Sequence, residues 1–128
     1  MSVDISIEEL DRELVFDLFE VKGEEVNKFL ADKQKKDVSD GISFQYKYTE
    51  IRLSEAIPNI LVITVEIGKN VVLPIALGIL SNYLYDKLKN RKNKTISVNG
   101  KAVEIDPKKI GQAILTNYMP PKEEKKEG

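Results

Sequence analysis

From Lys87 to Lys101 the chain carries six cations, Lys87, Lys89, Arg91, Lys92, Lys94 and Lys101, and no acid. Several like charges on a short stretch can face one phosphate backbone or one anionic partner. Tyr83 and Tyr85 lie just upstream, but no aromatic residue is interleaved with the cations, as stacking on bases would require. The competing reading is plainer. Cations collect at a helix C-terminus because the helix dipole favours them, and they keep a protein soluble.

Acids crowd the other end of the chain, with Asp4, Glu8, Glu9, Asp11 and Glu13 close together. Carboxylates can ligate metal or move protons. These lack the spacing of a calcium loop, and no base or nucleophile accompanies them, so a solvated face is expected. Glu66 sits in an apolar segment, where a salt bridge with Lys69 or exposure at an edge would accommodate its charge. Gly68-Lys69-Asn70 superficially looks like the end of a phosphate loop. The upstream glycine is absent and Asn stands where a hydroxyl would bind magnesium, so that reading is discarded.

The chain of 128 residues contains neither cysteine nor histidine. Disulfides, thiolate nucleophiles, Ser-His-Asp and Cys-His arrangements and imidazole-bound metals are thereby excluded. The usual general base near neutral pH is missing as well. No catalytic residue, cofactor or metal site is expected. Net charge is −1, yet the first seventy residues are acidic in balance and the remainder basic. Such a split can mark a polarised surface, self-association or a basic contact site.

Length and composition suit one domain with a real core, placed at residues 1–119. Val3, Ile5 and Ile7 alternate with polar residues as in a strand. Leu10 to Val21 fits a strand or a helical face, and a strand around Glu13–Leu18 is expected. Val26, Phe29 and Leu30 predict a helix over 23–35. Asp40-Gly41 then makes a turn into an alternating strand, in which Ile42, Phe44, Tyr46 and Tyr48 share the buried side. Residues 60–67 suit a buried strand or an apolar helix.

Asn70 can cap a long helix from Val71 to Asn90 whose first ten residues are apolar all round and should be buried. Leu77, Leu80, Tyr83, Leu84 and Leu88 make it a candidate interface for a homodimer. Asn99-Gly100 between two short apolar-patterned runs predicts a hairpin with a type I′ turn. Asp106-Pro107 then opens a terminal helix carrying Ile110, Ala113, Ile114 and Tyr118. The expected class is α+β: a small mixed sheet, a long apolar helix, a C-terminal hairpin and a terminal helix.

Between Ile60 and Tyr85 the apolar run is broken by Glu66, Gly68, Lys69 and Asn70, leaving pieces too short to span a bilayer. No basic, apolar leader opens the chain, so a cytoplasmic location is expected. The segment from Pro120 to Gly128, PPKEEKKEG, has no large apolar residue and is expected to be disordered.

Residues 76–106, ALGILSNYLYDKLKNRKNKTISVNGKAVEID, resemble the C-terminal half of the effector-associated constant component family. In that family a leucine- and small-residue helix with a basic end leads to a hairpin with Gly at its turn. The family's tryptophans are absent, with Tyr83 and Tyr85 in their neighbourhood, and its Arg-rich ending is mostly Lys here. The resemblance implies an adaptor of bacterial signalling or defence systems, acting through protein contacts, and it transfers no catalytic residue. The expected function is a non-catalytic protein-interaction module, with a protein partner or self-association. The alternative is a binder of nucleic acid or an acidic membrane surface through Lys87–Lys101.

Overall fold

The structure, a computed structural model, describes residues 2–10, 13–53 and 56–118. The elements run β1 (Ser2–Glu9), α1 (Leu14–Phe19), α2 (Glu25–Ala31), β2 (Lys35–Ser39), β3 (Ile42–Glu50), β4 (Asn59–Ile67), α3 (Leu73–Leu88), β5 (Thr95–Val98), β6 (Lys101–Glu104) and α4 (Pro107–Tyr118). The strands form one sheet in the order β2-β3-β4-β1-β5-β6. Every neighbouring pair is antiparallel, which corrects the expected mixed sheet. β4 and β5 flank β1 on its two sides and so run in the same direction, joined by a crossover through α3, the kind of helical connection that strands of one direction need.

Residues 60–67 are a strand. Leu61, Ile63, Val65 and Ile67 point into the core, while Thr64 and Glu66 point away and are only half-buried. β-branched side chains suit this pleated position between two neighbours. β1 and β5 add Val3, Ile5, Ile7, Ile96 and Val98 to the same side. All four helices cover that side, contributing Leu14, Leu18, Phe29, Leu80, Leu84, Ile110 and Ile114 to one hydrophobic cluster. Among the described residues no helix lies on the opposite face. An antiparallel sheet tolerates this because its outward positions are polar.

Three expectations need correction. Residues 14–19 are helical, because Leu14, Val15, Leu18 and Phe19 are the buried set. That i, i+1, i+4, i+5 spacing makes one helical face, whereas a strand would bury alternate residues. The helix predicted over 23–35 ends at Ala31. Lys33 adopts a positive φ of 50°, and the polar run after Leu30 offers no apolar side chain to another turn. Lys35 to Ser39 instead pairs with β3 as an edge strand. Third, Tyr46 and Tyr48 lie on opposite faces. A β-bulge puts Tyr46 opposite Ile63 and Tyr48 opposite Val62, with Lys47 as the extra residue. Bulges of this kind re-aim side chains, and Tyr48 is left 49% exposed.

α3 is amphipathic rather than buried all round. Val72 just before it and Ile75 within it are 59% and 60% exposed, because a helix lying on a sheet buries one face and has only its flanks covered by neighbours. Its start is anchored by backbone contact. Gly68 N–H donates to Gly41 O at 2.7 Å, and a Cβ on Gly41 would lie 2.5 Å from Val71. The other turns follow the sequence. Asn99 and Gly100 have φ of 49° and 86°, as a type I′ turn requires, and Asp106 Oδ2 accepts from Lys109 N–H at the start of α4. The side chain of Tyr118 and the tail from Pro120 lie outside the described residues.

Candidate functional site

The cations of 87–101 do not form one open patch. Lys87 Nζ donates to Glu20 Oε2 at 2.7 Å and stands over the Tyr83 ring. Glu20 also receives Lys36 at 2.6 Å. Hydrogen bonds from Lys36 and Lys87 hold the Glu20 carboxyl down at about 2. Arg91 Nη1 reaches Asp17 Oδ2 at 2.6 Å, with its side chain only 8% exposed. Lys89 pairs with Asp86. The acidic first half and basic second half of the chain thus meet where α1 packs on α3, through the Glu20–Lys87 and Asp17–Arg91 pairs.

Lys92, Lys94 and Lys101 form no ion pair among the described residues. Lys94 precedes β5, whereas Lys101 opens β6 beyond the hairpin turn, so a strand's length separates them. Lys89, Lys94 and Lys109 do line one open cleft of about 450 Å³ with Tyr85 and Asn93. Glu104 and Asp106 line it too, and Glu104 pairs with Lys109, whose pKa it raises. Alternating signs leave this cleft a weak field for a polyanion.

The N-terminal acids are likewise dispersed. Asp4 accepts from Lys47 Nζ at 2.6 Å and from Thr64 Oγ1 at 3.0 Å on the uncovered sheet face. Burial pushes the Glu9 carboxyl up, and Asp11 lies outside the described residues. Glu66 pairs with Lys35 across the sheet rather than with Lys69, because a strand directs its side chain sideways to its neighbours and not along the chain. Among the described residues no three acids converge in a metal-holding group.

The leucine face of α3 is spent within the chain. Leu80, Leu84 and Leu88 are fully buried, Leu77 nearly so, and Tyr83 Oη donates to Leu18 O at 2.7 Å. Burial pushes the Tyr83 phenol pKa up, with the nearby Glu20 charge adding to it. These side chains pack largely within the chain, with Tyr83 half-buried and Leu77 also bordering a groove between α3 and α4.

Exposed apolar surface lies elsewhere. At the end of β3 and in the following loop, Tyr48, Ile51, Leu53 and Ile57 are 49%, 70%, 100% and 47% exposed. The register places Tyr48 beside Val62 on the uncovered face, and Arg52 and Glu50 pair next to them at 3.5 Å. In the sequence nothing singles out this loop, because Tyr48, Ile51, Leu53 and Ile57 keep no single helical or strand period. A second exposed pair is Val72 and Ile75, on the outward side of α3. No helix is long and apolar enough to cross a membrane among the described residues. Compared with family models, with curated proteins and with solved structures, this chain matches none.

Proposed function

We propose that this chain is a non-catalytic protein-interaction module whose contact surface is the β3–β4 loop with the adjoining end of β3. One observation carries this reading: Tyr48, Ile51, Leu53 and Ile57, from the end of β3 and the segment that joins it to β4, all stand largely in water. A scattered exposed apolar residue is ordinary, but a group of them rimmed by polar side chains marks a contact surface. Burial on a partner releases about 25 cal/mol for each Å² of such surface, and central aliphatic and aromatic anchors dominate binding. The partner is a protein with an apolar pocket to receive Leu53. The resemblance of residues 76–106 supports an adaptor role in a bacterial signalling or defence system. The anionic-ligand alternative has less support, since Glu20, Asp17 and Asp86 already hold three of its six cations.

The test uses the full chain against products of neighbouring genes, with affinity measured by calorimetry. Leu53→Ser combined with Ile57→Ser is expected to weaken the complex at least tenfold, about 1.4 kcal/mol, while leaving the melting temperature unchanged. Undiminished binding by that double variant would remove the loop as the contact surface. Turnover of a substrate, abolished by replacing one acid, would overturn the non-catalytic reading.

A further inference from the structure

We propose that two copies of this chain associate through the outward face of α3, antiparallel about a two-fold axis, with each Ile75 seated over the other copy's Gly78. This face is the reverse of the leucine face consumed by the core, and it is separate from the β3–β4 loop.

Ile75, Gly78, Ile79 and Asn82 follow i, i+3, i+4, i+7 spacing and so share one side of the helix. Ile75 is a knob, 60% exposed. Gly78 is a hole: a Cβ built there meets nothing within 4 Å. It opens into a shallow groove of about 280 Å³ between α3 and α4, lined also by Leu77, Ser81, Gly111 and Leu115. A knob and a hole one turn apart on one helix are self-complementary under a two-fold axis. If Ile75 of one copy lies on Gly78 of the other, the same contact recurs with the roles exchanged. Glycine at the crossing point lets the two backbones approach closely.

Charge favours the same partner in the same orientation. No charged residue occurs from Val71 to Tyr85, and among the residues lining the groove Lys108 of α4 is the one charged side chain, so α3 itself offers nothing that repels its own copy. Lys69 lies before the helix and Asp86 near its end, where its carboxyl pairs with Lys89 and is still 67% exposed. An antiparallel pair brings Lys69 of each copy towards Asp86 of the other and opposes the two helix dipoles. A parallel pair would set Lys69 against Lys69. One pair of helices, each about 24 Å long, makes a small interface, so a dissociation constant in the micromolar range is expected.

Sedimentation of the full chain across about 1 to 500 µM tests this. The mass is expected to rise from the 14.5 kDa of one chain towards twice that value. Gly78→Leu is the decisive variant. Within one chain a Cβ at this position meets nothing within 4 Å, and glycine is a poor helix former, so the melting temperature should hold or rise. Dimerisation should nevertheless fall at least tenfold. Ile75→Asp should have the same effect on association. Lys69→Glu should weaken the dimer, and adding Asp86→Lys should restore it. A single-chain mass at every concentration overturns the proposal, as does a dimer that forms equally well with Gly78→Leu. Failure of the loop variants above leaves this result untouched, because they lie on another surface.

Discussion

Glu20 shows how much one side chain can join. It closes α1 in the left-handed region, with φ 57° and ψ 42°, and from there its carboxylate reaches Lys36 of β2 and Lys87 of α3. Its pKa is lowered from 4.5 to about 2, so the folded state binds the proton less tightly than the unfolded chain. The resulting stability is present above about pH 4.5 and is lost as pH falls towards 2. The side chain is 46% exposed, and solvent screening limits the contribution to under about 1 kcal/mol. Glu20→Gln should therefore destabilise slightly at pH 7 and flatten the acid limb of the stability profile. Urea titrations from pH 7 to about pH 2 would show this; identical profiles for both proteins would mean the triad contributes nothing.

Among the elements, α4 and the β5–β6 hairpin have the most local origins, and α1 the least. Asp106 caps α4 through Lys109 N–H at 3.1 Å, so Asp106→Ala should cost about 1 kcal/mol, read from the urea midpoint at unchanged slope. A loss below the error of that measurement would show water replacing the cap. α1, by contrast, is too short to persist alone and exists because the sheet and α3 receive its four apolar side chains. The bulge at Lys47 belongs to this scale as well. One surplus residue gives Tyr46 and Tyr48 opposite faces, and so exposes the first member of the apolar group at the loop.

For the molecule as a whole, β1 is the joint between the two halves of the sequence. It pairs with β4 along its length and with β5 at Ile5 and Ser6. Ile5 is fully buried, opposite both Ile63 and Val98. Ile5→Ala should cost about 2–5 kcal/mol and should do so in one cooperative transition reported alike by fluorescence and circular dichroism. Two separated transitions would show that the halves fold independently. The acidic and basic halves are cemented further by Asp17–Arg91 and Glu20–Lys87. A charge imbalance along the chain therefore need not appear as a polarised surface.

Local chemistry alone decided the Asp40-Gly41 and Asn99-Gly100 turns, the Asp106-Pro107 helix start, the alternation of β1 and the leucine stripe of α3. In each, the cause is a backbone conformation or a periodicity complete within a few residues. Whether 60–67 would be strand or helix, that 14–19 would be helix, that Lys35–Ser39 would pair and that Tyr48 would turn outward were decided by neighbours distant in sequence. Ladder partners and the shape of the available core supply those constraints. The surface was the least legible of all. Which cations meet acids, and which apolar side chains stay in water, depends on how α1 packs on α3 and on where the sheet ends.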